Sequence, residues 1–250
     1  MTLNPVLDFF CGRVRRHTLL RVLIPLIFIA YFGTLALAIR AVPGRFDWRY
    51  ESISKLLYLR TDPELPALHL IVSIGIAVAG LLVIPFAGYV GRRFRGIAPI
   101  LSAVGAGAFG AGAVILILAA TIISQPGGGS RAPALHELLA RLCGFGLGIG
   151  MLAFYFCAAK SRVGSVASGN SDHRLFIAWN MIAPPAALIA AVRGLAALRL
   201  RWPDPIYRAI QSRALWHLGF WEWIGSGAVF LFLLSSALFL PQSVRDSPGK

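Results

Sequence analysis

The strongest pattern along the chain is the length of its uninterrupted apolar runs. Six stretches contain no Asp, Glu, Lys or Arg: Val22–Ile39, Leu68–Val90, Ile97–Ile123, Leu142–Ala159, Leu175–Val192 and Ile224–Leu240, each 17 to 27 residues long. A helix rising 1.5 Å per residue needs about 20 residues to cross a hydrocarbon layer of ~30 Å. The shorter runs reach that length by extending past a boundary charge. Transmembrane strands would instead alternate apolar and polar positions over ~10 residues. With no water in the layer to satisfy peptide groups, each run is expected to be a helix. The fold class this predicts is all-α: a polytopic membrane protein built as a six-transmembrane-helix bundle with a short N-terminal interfacial helix. The first run is too long and too far from the start for a cleaved signal peptide, so it is read as the first span.

The flanking segments divide the chain further. Asn4–Pro5 is a helix start, after which Leu3, Val6, Leu7, Phe10 and Val14 oppose Arg13, Arg15 and Arg16. That is the pattern of a short helix lying in the interface. Residues 1–18 are therefore assigned to an N-terminal interfacial segment, 19–241 to the six-helix domain and 242–250 to a C-terminal tail. Gln125–Ala134 and Ser161–Ser171 read as loops. Asp62–Pro63 and Asp204–Pro205 each place a capping acid before a proline, which starts the second and sixth helices outside the hydrocarbon.

Composition supports the same class. Of 250 residues, 57% are apolar and 14% charged, with a mean hydropathy of +0.73. Soluble domains average roughly 45–50% and about 25%. This excludes a soluble enzyme, a disordered tail and a DNA-binding domain. The 24 basic and 10 acidic side chains leave +14. The basic ones cluster between apolar runs, where they meet lipid headgroups and set orientation, so no nucleic-acid partner is expected. With the N-terminus cytoplasmic, each membrane face receives twelve basic residues, and the compact Arg92–Arg95 group in a very short loop favours that orientation. The expected location is a bacterial inner membrane or its equivalent, with both termini cytoplasmic. Three cysteines make no disulfide framework. Cys143 and Cys157 read as small buried hydrophobes, and Cys11 as a free thiol.

Candidate chemistry gathers on one face. In six antiparallel spans the starts of the second, fourth and sixth helices lie together, and seven of ten acids fall there: Asp47, Glu51, Asp62, Glu64, Glu137, Asp204 and Glu222. His69, His136 and His217 join them. Charged groups inside spans are costly and therefore informative. Glu137 and Arg141 are four apart on the fourth helix, a favourable acid-then-base order. Their stripe continues through Gly144 and Gly148, a small-residue face expected to pack on another helix. On the sixth helix Glu222 shares a protein-facing stripe with Gly219 and Ser226, and on the second His69 shares one with Ser73 and Gly80. Trp216, Phe220 and Trp223 form a bulky stripe, read first as an aromatic interface belt. Gly105, Gly107, Gly110 and Gly112, like Gly144, Gly146, Gly148 and Gly150, read as packing surfaces, because no P-loop Lys-Ser/Thr pair accompanies them.

A histidine-bound zinc ion has the right ligand types, but each histidine sits on a different helix. His217 and Glu222, five apart, are separated by about 140° around theirs. No metal ligand set is therefore assigned, and no cofactor is expected. A nucleophile at Ser52 or Ser54 activated by His136 is a further arrangement that these residue types allow.

Three segments in order resemble a known group: Ser52-Ile53-Ser54-Lys55-Leu56, then Leu135-His136-Glu137 with Phe145-Gly146-Leu147-Gly148, then Trp221-Glu222-Trp223. They look like the six-helix superfamily of the damage-regulated autophagy modulators, which includes the GPI-anchor lipid-remodelling membrane proteins and related bacterial families. The resemblance implies cytoplasmic termini and a role in membrane-lipid organisation, lipid-anchor maturation or trafficking. It singles out Ser54, His136 and Glu222.

The function expected is lipid handling or lipid sensing at a polar site in the outward half of the bundle. There Arg141 would pair with a lipid phosphate or carboxylate, and Glu222 and His136 would orient headgroup atoms. Trp223 would border the entry, and His69, Glu137 and His217 complete the set of ligand-binding candidates. One alternative is an intramembrane lipid hydrolase or acyl-transfer enzyme using Ser54, His136 and Glu222, or a histidine-bound metal. Another is a non-catalytic subunit beside a membrane-protein partner, or a small-solute transporter.

Overall fold

The structure, a computed structural model, describes residues 4–44, 46–58, 68–123, 132–163, 177–183 and 218–240. Among these residues every regular element is helical. They are α1 (Pro5–Phe10), α2 (Arg16–Ala41), α3 (Ile53–Tyr58), α4 (Leu68–Phe94), α5 (Pro99–Ile123), α6 (Ala132–Val163), α7 (177–183) and α8 (Leu218–Phe239). Five of them, α2, α4, α5, α6 and α8, are long and apolar enough to cross a membrane. The chain is thus a multi-pass membrane protein by the length and composition of its helices. Of the fifth apolar run only 177–183 is described, so a count of six spans does not follow. The spans extend past boundary charges as expected. α6 also takes in Ala132–Ala134 and Ser161–Val163, where the sequence pattern predicts loops. The Asp62–Pro63 and Asp204–Pro205 starts and the 242–250 tail lie outside the described residues.

Local chemistry accounts for the irregular first span. Within α2 the backbone widens to π-helical turns at Leu19–Leu23 and Ile29–Gly33. The first precedes Pro25, whose ring would meet the Arg21 carbonyl in an unbroken α-helix. The second ends before Thr34, whose hydroxyl donates back to the carbonyls of Ala30 at 2.7 Å and Tyr31 at 3.0 Å. α1 starts as expected, with Pro5 in its first turn and Asn4 Oδ1 accepting from the Val6 amide at 3.0 Å.

The spans that follow one another from α2 to α4, α5 and α6 pack antiparallel. Gly75 of α4 sits against Ala30 and Thr34 of α2, and Gly80 against Ala113 and Ile117 of α5. Along the α5–α6 hairpin, a methyl at Gly112 would lie 2.8 Å from the Leu147 amide nitrogen, and one at Gly150 2.6 Å from Phe109 Cβ. Small residues there let the backbones approach. α8 closes the bundle by inserting Phe232 among Phe86, Phe109, Phe154 and Trp179, with ring centroids 5.2–6.2 Å apart. Trp179, on α7, is fully buried there.

Two ends follow from this order. One, the α1 end, holds the start of α2, the ends of α4, α6 and α8, and α1 itself. The other, the α3 end, holds the ends of α2 and α5 and the starts of α4, α6 and α8. A second, aliphatic cluster lies at the α3 end. It joins Leu35 and Ala38 of α2, Ile53, Leu56 and Leu57 of α3, Val72 and Ile76 of α4 and Ala120 of α5.

Candidate functional site at the α3 end

The segment before α3 is a self-bonded turn. Asp47 Oδ1 accepts from the Arg49 amide at 3.0 Å, and the amides of Tyr50 and Glu51 both donate to the Asp47 carbonyl. Glu51 accepts from the Asp47 amide at 3.1 Å with one oxygen and pairs with Lys55 through the other. This turn leads into α3, which buries Ile53, Leu56 and Leu57 and exposes Lys55.

α8 receives that segment. Glu222 Oε2 accepts the Ile53 amide at 2.7 Å. Ile53 is the first residue of α3, so its N–H has no partner within its own helix, and a carboxylate is a strong acceptor for such a group. One turn earlier, Gly219 lies so close to the Glu51 carbonyl and the Ser52 amide that any side chain would overlap them. One turn later, Ser226 donates to the Glu222 carbonyl at 2.7 Å and shares a 2.8 Å hydrogen bond with the Tyr31 hydroxyl of α2. The Gly219–Glu222–Ser226 stripe faces protein, as its spacing predicted. The aromatic stripe beside it also meets the loop: Trp48 stacks with Phe220 at 6.3 Å, and Phe46 meets Trp223 edge-on at the same distance.

The histidines are drawn to α5. His136 of α6 is buried, with Nδ1 3.3 Å from the Ala119 carbonyl. A carbonyl partner makes Nδ1 the donor and, in the neutral ring, leaves Nε2 the acceptor. Ser73 donates to the next carbonyl, Ala120. The His69–Ser73–Gly80 stripe therefore faces α5, again as the spacing implied. His69 is buried, and its Nδ1 meets no hydrogen-bond partner among the described residues. Trp223 Nε1 is buried in the same condition.

The predicted residues thus separate into two groups. Glu222 and Trp223 join the segment that carries Ser52 and Ser54, whereas His136 meets the end of α5 and His69 lies on the α4 stripe whose Ser73 and Gly80 face α5. The Ser54 hydroxyl donates to Ser52 Oγ at 2.9 Å, so its proton is directed at another serine and away from an imidazole. Arg141 is exposed. Its stripe does not pack on a described helix: nothing lies within 4 Å of a methyl built at Gly144 or Gly148. Gly146 and Gly150, with the same spacing, are the pair that meets α5. Gly105 and Gly112 pack as expected, but Gly107 and Gly110 face open space. The Glu137 side chain and His217 lie outside what is described. No group of three or more His, Cys, Asp or Glu suited to a metal ion occurs among the described residues.

Tyr31 is the contributor that sequence reasoning missed. It is the only tyrosine in the first apolar run, and a hydroxyl inside a span seeks a partner on a neighbouring helix. That was the available signal.

Compared with protein-family models, curated proteins and solved structures, the chain matches none.

Proposed function

We propose that the protein handles or senses a membrane lipid whose polar head reaches the α3 end of the bundle. The reading rests on one observation. Of five buried polar atoms with no hydrogen-bond partner among the described residues, Tyr89 Oη, Trp179 Nε1 and Ser236 Oγ lie toward the α1 end, whereas Trp223 Nε1 and His69 Nδ1 lie on two helices that both pack against α3. Buried polar groups are nearly always partnered, so such atoms mark places where a further polar ligand gains from binding. α3 fits a headgroup site at the interface: it is amphipathic, it carries Lys55 outward, and Glu222 pins its first amide. The likeness of the Ser52–Leu56, Leu135–Glu137 and Trp221–Trp223 segments to a lipid-remodelling superfamily points the same way. The reading places the termini in the cytoplasm of a bacterial inner membrane or its equivalent, supported by the Arg92–Arg95 group, and leaves room for a membrane-protein partner.

The test is photocrosslinking with a diazirine phospholipid in nanodiscs, mapped by peptide mass spectrometry. Crosslinks are expected on α3 and the first turns of α8. Trp223→Phe and His69→Leu should each lower them about tenfold, the equivalent of one lost hydrogen bond of ~1.4 kcal/mol. Crosslinks unchanged in both folded variants, or confined to the lipid-facing middle of the spans, would overturn the reading.

A further inference from the structure

The opposite end of the molecule carries a different device. α1 is docked there rather than trailing. Gly12 adopts φ +74° and lies against the backbone of Gly88 and Tyr89 in the last turns of α4, where any side chain would overlap those atoms. Phe9 and Val14 pack on the core, while Val6 and Leu7 remain 58% and 55% exposed. The only acid among the described residues at this end, Asp8, is bound by Arg13 at 2.8 Å.

The cations here fall into two sets. Arg16 is used internally: Nε donates to the Ala237 carbonyl at 3.0 Å and a second nitrogen to Leu238, closing the last turn of α8. Arg93 lies 5.1 Å over the Tyr89 ring. Arg15, Arg21, Arg92, Arg95 and Lys160 are exposed, and no hydrogen bond or ion pair ties them to a described residue. At the α3 end Lys55 is paired with Glu51 and the Arg49 guanidinium lies 6.0 Å over the Trp48 ring, while Arg40 is a single exposed cation in the last turn of α2.

We propose that the α1 end is a recognition surface for anionic phospholipid headgroups. The exposed Val6 and Leu7 enter the acyl boundary, and the five uncommitted cations face the headgroup phosphates at the same level. Charge complementarity selects the occupant. An unopposed set of cations beside an apolar interfacial helix attracts an anionic surface, each cation contributing about fivefold (~1 kcal/mol). This surface is independent of the α3-end site, so either reading can fail alone.

The experiment titrates the full chain, purified in a neutral detergent, with phosphatidylglycerol or phosphatidylcholine and counts retained lipids by native mass spectrometry. Wild type should retain phosphatidylglycerol at least tenfold more readily, and the preference should fall between about 50 and about 500 mM salt as screening shortens the reach of the charges. Arg15→Gln with Arg21→Gln, and Arg92→Gln with Arg95→Gln, should each lower the preference by an order of magnitude or more. Arg40→Gln, at an exposed cation in the last turn of α2 at the other end, should leave it unchanged. A wild-type protein with no preference, or one whose preference ignores salt, overturns the proposal. So do folded double variants that keep it, in which case these cations serve orientation alone. Should a double variant not fold, the salt titration of wild type decides.

Discussion

The two ends of the bundle are held together by different physics. Toward the α1 end the spans meet through rings, with Phe232 of α8 at the centre of Phe86, Phe109, Phe154 and Trp179. Polar side chains occur there too: Ser235 donates to the Phe232 carbonyl of its own helix at 3.1 Å, the Tyr155 hydroxyl to Asn180 across α6 and α7 at 3.2 Å, and the buried Tyr89 and Ser236 hydroxyls meet no hydrogen-bond partner among the described residues. Toward the α3 end the apolar cluster is aliphatic, and polar groups bond between elements: Glu222 to Ile53, Tyr31 to Ser226, Ser73 to Ala120 and His136 to Ala119. The difference follows from what each end must accommodate. Spans packed only on one another satisfy their peptide groups internally and need only shape. A re-entering loop brings unpaired amides to the bundle and requires acceptors for them. At the α3 end the polar side chains therefore serve a docked loop, and that is also where a ligand would find partners.

This contrast can be broken most severely at the ring cluster. Phe232→Ala should cost about 3 kcal/mol or more, because the cavity borders four other rings, and should lower the melting temperature of the detergent-solubilised protein by several degrees. A shift no larger than that of a lipid-facing Leu→Ala control would remove Phe232 from the centre of the packing. Next in size is Glu222→Ala, expected to cost about 2 kcal/mol by leaving the Ile53 amide without its acceptor. Hydrogen exchange should accelerate in α3 while the ring cluster stays protected, and Glu222→Gln should recover about half of the loss. Equal acceleration at both ends would mean that the carboxylate acts on the whole bundle.

Smaller effects sharpen the picture. Arg16→Ala removes a cation from the last carbonyls of α8 and should cost about 1 kcal/mol, in part restored by Lys. Exchange should rise at the end of α8 and not at its start. Ser54→Ala should change stability by less than about 0.5 kcal/mol, since among the described residues the hydroxyl bonds to Ser52 alone. Loss of a lipid-cleaving activity in that well-folded variant would instead restore the serine-nucleophile reading, and a phosphonate probe that labels wild type and not the variant would report it.

Much of the architecture was written in the chain. Runs of apolar residues with few interruptions can only be helices in a layer without water, so five of the six expected spans, their overshoot past boundary charges and the antiparallel order of successive spans from α2 to α6 are found among the described residues. Asn4 and Pro5 announced α1. Polar residues were legible as well, because a Glu, His or Ser within an apolar run has few inexpensive places to go. The stripes through Glu222 and His69 face protein for that reason.

What the sequence could not rank was one apolar or small residue against another. Lipid is as apolar as leucine, so no periodicity separates the phenylalanines that form the central cluster from those that face outward, such as Phe145 at 66% exposure. Gly144 with Gly148 and Gly146 with Gly150 have identical spacing, and only the approach of Phe109 and Gly112 on α5 selects the second pair. The pairing of polar groups was likewise a tertiary decision. The antiparallel order of the spans put Ser54, His136 and Glu222 at one end, but the short reach of a hydrogen bond let Glu222 bind a nearby loop amide and His136 a nearby α5 carbonyl. Sequence determines which residues enter the membrane and which cannot be left bare there. The packing of the helices decides which neighbour each one meets, because that choice depends on distances of a few ångströms that no one-dimensional pattern encodes.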